Sequence, residues 1–434
     1  MFSKLGLSRT ACTSLARLGY ETPTSIQTEA IPLVLTGVDL LARAQTGTGK
    51  TAAFGMPMIE RLLKQDSAAV RLSPRGLVLV PTRELAVQVH QALSAYAAPT
   101  RLRLVAIIGG VAMGGQVQAL RRGADIVVAT PGRLIDHLQR RTVDLSAVDV
   151  LTLDEGDRML DMGFLPALRR LVAALPRRRQ TLLFSATLSE AVIRLSAEFT
   201  RDAVRVDVSA QQVVAATVTH QVHHVAVERK REVLTHILTQ HGAAQALVFC
   251  RTKRGANRVG EDLGQRGVRT GVIHSNKSQG ARSRVLDDFK AGRVRVLVAT
   301  DIAARGLDIA RLPLVVNFDL PLVAEDYVHR VGRTGRAGQH GRAVSLVSAS
   351  EAGLLRQIQQ VVAVPLELVA APVTDATEAH RAVEPAPGRT REAHRSGSVA
   401  ARRTPQGRHG QQIGGGGRRS DPYRAVIAGR SSAA

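Results

Sequence analysis

The sequence predicts an α/β protein of two tandem, doubly wound parallel-sheet domains followed by a basic tail. Two observations carry this. Short runs that are apolar at every position alternate with longer amphipathic stretches, the mark of strands covered on both faces by helices. The pattern then restarts midway, and 434 residues suffice for two to three domains.

In the first half the apolar runs are Val38–Ala42, Leu77–Val80, Arg103–Ile108, Ile126–Ala129, Val150–Leu153 and Thr181–Phe184. They assign residues 1–207 to one domain. Residues 208–219 are polar and small, and read as a linker. Ala246–Cys250, Thr270–Ile273, Arg295–Ala299, Leu314–Phe318 and Ala343–Val347 are strands of a second domain, residues 220–370. From residue 371 the chain carries 11 Arg against 5 acids, with 9 Gly. Such a segment buries too little apolar surface to offset its ordering entropy, so 371–434 is expected to be disordered.

Lys and Arg number 59 against 36 acids, a net charge of +23. A charge this large points to a polyanion, nucleic acid first and an anionic membrane second. No apolar run approaches the ~18 residues of a membrane helix. The N-terminus lacks a signal-peptide core. Cys12 and Cys250 are far apart and in no CxxC, which supports neither a disulfide framework nor a zinc knuckle. A cytoplasmic protein is expected. Four Tyr, eight Phe and no Trp are too few for reading single strands by base stacking, so the grip is expected on the sugar–phosphate backbone. His220, His223 and His224 have strand-like spacing with no clustered acids nearby, and read as core or surface residues rather than metal ligands.

The strongest local signal is Ala44-Gln-Thr-Gly-Thr-Gly-Lys-Thr51, between an apolar run and a helical pattern. This is the strand–loop–helix setting of a P-loop. Thr46, Gly47, Thr48 and Gly49 bring backbone N–H groups to phosphate oxygens. Lys50 offers a point charge to the β and γ phosphates, and Thr51 a hydroxyl to Mg²⁺. The helix N-terminus adds its positive end. Ala44 stands where the simple pattern has Gly. Asp154-Glu155-Gly156-Asp157 follows an apolar strand, at the edge where open α/β sheets place active sites. Asp154 suits the metal, and Glu155 suits orienting and deprotonating water. The second half has no Gly-Lys-Thr after Ala246–Cys250. It carries His329-Arg330-Val-Gly-Arg333-Thr-Gly-Arg336, whose Arg333 and Arg336 read as arginine fingers toward a nucleotide on the first domain.

With these motifs the chain resembles the DEAD-box RNA helicases of superfamily 2, and within them the bacterial RhlE-type proteins. The resemblance covers about residues 1–365. It implies two RecA-like domains, ATP and Mg²⁺ as cofactors, and RNA as substrate. By resemblance, Gln27 reads the adenine edge and Tyr20 stacks on the ring. Thr82 and Arg83 of Pro81–Leu85, Gly110, and Thr130 and Arg133 match RNA-contacting motifs, as do Arg251, Arg282 and Thr300 in the second domain. Asp308 matches the residue that touches the ATP ribose. Asp157, Ser185, Thr187 and His329 match groups that couple hydrolysis to strand separation. Arg158–Phe164 and Asn276–Gln279 are the stretches that resemble the RhlE type, which implies ribosome or RNA-decay work. Two departures stand out. Gly156 replaces the family's Ala, which is expected to loosen contact with Ser185–Thr187 and weaken coupling. Ser275 replaces a Gly, and would strain the loop if that position needs a positive φ. Two other functions remain open at this stage: a DNA helicase, and an RNA clamp or annealer with little turnover.

Overall fold

The computed structural model describes residues 1–372 apart from 45–46, 65–72, 209–217, 243, 305–308, 310–311, 336–339 and 363–364. Thr46, Asp308, Arg336, most of the expected linker and nearly all of the tail therefore lie outside the described residues.

Two short helices open the chain, α1 (Arg9–Arg17) and α2 (Ser25–Thr36). Then come β1 (Leu40–Arg43), α3 (Lys50–Lys64), β2 (Gly76–Leu79), α4 (Arg83–Ala97), β3 (Leu104–Ile107) and α5 (Met113–Arg121). The unit continues with β4 (Ile126–Ala129), α6 (Pro131–Gln139), β5 (Val150–Asp154), α7 (Gly156–Asp161), α8 (Leu165–Ala173), β6 (Gln180–Ser185), α9 (Glu190–Phe199) and β7 (Val204–Asp207). Its seven strands are all parallel, in the order β3-β4-β2-β5-β6-β1-β7. β2, β4, β5 and β6 are buried at every position, as runs without alternation require. Two apolar clusters, one on each face, complete the layers.

The second unit runs β8 (Val218–His224), α10 (Lys230–Gln240), β9 (Ala246–Cys250), α11 (Lys253–Gln265), β10 (Thr270–Ile273), α12 (Gln279–Lys290) and β11 (Val296–Thr300). It ends with α13 (Asp301–Ala304), β12 (Leu314–Asn317), α14 (Ala324–Val331), β13 (Gly341–Val347), α15 (Ala352–Val361) and β14 (Glu367–Leu368). Its order, β10-β11-β9-β12-β13-β8-β14, repeats the first sheet strand for strand. β8 therefore corresponds to β1, the strand that leads into the P-loop. Sequence reading started the second sheet one strand late. β8 begins at Val218, inside the segment read as linker, because its residues Thr219, His220 and Gln221 do not form an apolar run. The chain leaves β8 through Val225-Ala226, again without a Gly-Lys-Thr. In the same register β9 matches β2, and the hydroxyl of Thr252 caps α11 as that of Thr82 caps α4. His220 and His223 bond to Tyr327 Oη and the Ala370 carbonyl, each at 3.1 Å. No described helix is long and apolar enough to cross a membrane.

Candidate active site

The site lies where the strands' C-terminal ends open. Ala44 N donates to Ser185 O at 2.9 Å, fixing the start of the P-loop to the end of β6. Gly49 has φ +89°, a backbone state that L side chains rarely adopt, so a side chain here would be strained whatever the space. Lys50 opens α3 and is 6% exposed. Its Nζ has no hydrogen-bond partner among the described residues, and lies 3.8 Å from Asp154 Oδ1. Burial pushes the Asp154 carboxyl up to about 6, against the pull of Lys50 and with the push of Glu155. Asp154 Oδ1 and Glu155 Oε2 are buried without hydrogen-bond partners as well. Unsatisfied buried groups cost about 1–3 kcal/mol each, so such a concentration marks a ligand site. An ammonium suits phosphate. An unsaturated carboxylate oxygen suits a hard cation such as Mg²⁺, and Thr51, next to Lys50 in the chain, carries a hydroxyl of the same hard-oxygen type.

Glu155 adopts a left-handed backbone, φ 58° and ψ 52°, as the residue before α7. Asp157 links this turn to β6. Its Oδ2 accepts from Ala186 N at 3.1 Å, Thr187 N at 3.2 Å and Thr187 Oγ1 at 3.4 Å. The expected link to Ser185–Thr187 thus runs through this carboxylate. A Cβ at residue 156 would instead meet Leu183 Cδ2 at 3.4 Å and the Phe184 carbonyl at 3.7 Å.

Gln27 and Tyr20, the residues expected to meet adenine, have protein partners here. Gln27 accepts from Thr24 N at 2.9 Å and donates to Gly49 O at 3.1 Å, closing the capping box of α2 onto the P-loop. Tyr20 Oη bonds Tyr96 Oη at 2.8 Å, and its ring meets Phe2 and Tyr96 edge-on.

The second unit faces this edge. Arg158 of α7 lines one pocket with Phe249, Asp301, His329, Arg330 and Arg333. Sequence reading gave no role to Arg158 or Arg330. Arg330, 2% exposed, forks onto Asp301 at 2.6 and 2.7 Å, bonds Asn317 and the Asp319 carbonyl, and lies over Phe249. It is the hub that seats α14, and with it His329 and Arg333. The signal for Arg158 was its place three residues after Glu155, one helical turn on.

The expected RNA-contacting residues fall into two groups. Arg83, Gly110, Thr130 and Arg133 share the first sheet's edge. Gly110 has φ +78°, and a Cβ there would strike the Arg83 guanidinium at 2.1 Å. Burial lowers the Arg133 pKa, and Arg83 adds to this, while Arg133 Nη1 bonds the Val111 carbonyl. Thr300 ends β11, 7% exposed. Arg251 and Arg282 are engaged by protein carboxylates. Arg251 Nη2 bonds Glu351 at 2.9 Å. Arg282 pairs with Glu84 of the first unit at 3.0 Å, and Gln279 donates to the same carboxylate at 2.6 Å. Glu84, to which sequence reading assigned no role, is thus an acid that ties the units together. Ser275 is absent from the described non-glycine residues of positive φ, which are Arg141, Glu155 and Asp202, so the expected strain does not arise.

Comparisons with known proteins agree with this layout. The DEAD/DEAH box helicase model matches residues 24–195, and the helicase conserved C-terminal domain model matches 229–338. The DEAD-box ATP-dependent RNA helicase CshA of Geobacillus kaustophilus is 41% identical over 374 residues, 86% of this chain and 79% of that one. The RNA helicase CrhR of Synechocystis is 42% identical over 381 residues, 88% and 76% of the two chains. Among solved structures, Saccharomyces cerevisiae Dbp5 bound to RNA and ADP BeF3 has a TM-score of 0.77 at 29% identity, over 88% of this chain and 99% of that one. Mss116p bound to single-stranded RNA and AMP-PNP gives 0.78, at 25% identity over 89% and 82%. Motifs, twin sheets and relatives converge, and the chain belongs to the DEAD-box ATP-dependent RNA helicases.

Proposed function

We propose that this chain couples RNA-stimulated ATP hydrolysis to local melting of short duplexes by closure of its two units. One observation carries the reading. Lys50, Asp154 and Glu155 sit buried and unsaturated on one unit, and Arg158 beside them shares a pocket with His329 and Arg333 of the other. Lys50 holds the β and γ phosphates, and Gln27 and Tyr20 turn from their present partners to the adenine. Asp154 and Thr51 would hold Mg²⁺, which when bound offsets phosphate charge. Glu155 orients and deprotonates the attacking water. Arg333 and Arg336 offset charge developing on the γ-phosphate, a contribution worth roughly 10³–10⁵ in rate for such fingers.

Arg83, Gly110, Thr130 and Arg133 on one unit and Thr300 on the other form the RNA groove. With so few aromatics it reads 2′-OH and phosphate, so sequence preference is slight. The Glu84–Gln279–Arg282 contact closes only when the units meet, which makes RNA and ATP binding cooperative. Asp157, anchored to Ala186 and Thr187, carries the state of the nucleotide to the end of β6. The Arg158–Phe164 and Asn276–Gln279 stretches favour the RhlE-type subgroup, and with it ribosome or RNA-decay partners in the cytoplasm. The tail adds a non-specific RNA tether. Unchanged RNA affinity and salt slope after removal of 371–434 would refute the tether. The reading as a whole is tested by ATP turnover with and without single-stranded RNA, with Lys50→Ala as control. Turnover that RNA leaves unchanged refutes it.

A further inference from the structure

We propose that Arg158 is a positioning residue for hydrolysis, holding the Glu155 carboxylate in its working orientation without consuming it. This rests on the reading of Glu155 as the residue that orients water.

Glu155 is one of three non-glycine residues of positive φ among those described, a backbone state costly for L-residues. Something must hold it there. Its side chain meets Arg158 one turn on, with Nε 3.3 Å from Oε2 and the side chains 3% and 4% exposed. The contact is close enough for charge yet misaligned for a hydrogen bond, since Oε2, Nε and Nη1 all lack hydrogen-bond partners. The guanidinium therefore compensates a buried carboxylate while its lone pairs stay free to accept from water. The arginine is itself fixed. Its backbone N donates to Asp157 Oδ1 at 3.0 Å, and the other oxygen of that carboxylate holds Ala186 and Thr187. It also lines the pocket with His329 and Arg333, so Glu155 is steadied where the second unit arrives.

The test uses the full chain, with RNA-stimulated kcat, KM for ATP, AMP-PNP affinity and melting temperature measured together. Arg158→Gln is expected to lower kcat about ten- to a hundredfold, the cost of a misplaced catalytic group. KM and AMP-PNP affinity stay within about twofold. Arg158→Lys, which keeps the charge, recovers kcat to within about fivefold of wild type. Adding Arg158→Gln to Glu155→Gln costs nothing further, because the arginine acts through the carboxylate. An unchanged kcat overturns the proposal. So does a kcat loss accompanied by weaker AMP-PNP binding and a lower melting temperature, which makes Arg158 structural. If Arg158→Gln does not fold, Arg158→Met carries the same expectations, and failure of both to fold also overturns it. Wild-type protein without RNA-stimulated turnover refutes the reading of Glu155 itself, and this proposal with it.

Discussion

Gly156→Ala restores the methyl that the name-giving tetrad of the family carries, and the structure fixes its effect. Residue 156 opens α7 with a φ outside the left-handed region, so alanine fits the backbone. Its Cβ would lie 3.4 and 3.5 Å from Leu183 Cδ2 and Cγ and 3.7 Å from the Phe184 carbonyl, ordinary contact with no overlap. Replacing helical glycine gains about 0.4–1 kcal/mol, mostly by restricting the unfolded chain. Burying the methyl adds up to ~0.8 kcal/mol. The sum is about 0.5–2 kcal/mol, or a melting temperature raised by roughly 1–7 °C for a unit near 200 residues. Coupling should not change, since Asp157 reaches Ala186 and Thr187 through its own carboxylate and not across the methyl. The assay is thermal melting beside ATP turnover and duplex unwinding. The expected result is a stabilised protein with both activities within about twofold of wild type. A lower melting temperature, or unwinding changed more than fivefold at constant ATP turnover, refutes the packing argument.

Other substitutions probe the remaining links. Asp157→Ala strands three backbone N–H groups, those of Arg158, Ala186 and Thr187, at about 1–3 kcal/mol each, and melting should fall while unwinding is lost more completely than ATP hydrolysis. Glu84→Ala leaves Arg282 without its carboxylate, and half-maximal stimulation of ATP turnover should need at least tenfold more RNA, since unpairing a buried ion costs ~3–5 kcal/mol in the closed state. His137 is buried against Thr142 Oγ1 at 2.8 Å, and burial, with Arg133 beside it, pushes its pKa from the ordinary 6.5 down to about 4. The unfolded chain binds the extra proton between those values, so the stability this residue contributes is complete above pH 6.5 and lost as pH falls toward 4. His137→Asn should flatten the fall of melting temperature across that window, and an unchanged slope contradicts the assignment.

Most of the scaffold was legible because buried parallel strands write themselves as unbroken apolar runs. β2, β4, β5, β9 and β12 all fall within a residue or so of where those runs lie. The strands without such a run were missed or only hinted at: β7, whose first two residues are exposed, and β14, only two residues long, escaped, while β8, which mixes polar and apolar positions, showed only in the strand-like spacing of its histidines. The P-loop and the acidic tetrad were legible because phosphate and metal chemistry demands fixed residue types at fixed spacing. Contacts between units were not. Glu84 and Arg282 are 198 positions apart, and nothing local distinguishes an arginine that will meet RNA from one that will meet a carboxylate. The same holds for Arg330, a surface-like residue in a basic motif that the fold buries as a hub.

The most direct test is ATP hydrolysis by the full chain alone, with single-stranded RNA, and with DNA of the same sequence, using Glu155→Gln as control. Stimulation by RNA alone, abolished in the variant, is the result expected of two units that close on a ribose-phosphate backbone. Equal stimulation by DNA, or turnover that survives Glu155→Gln, contradicts it.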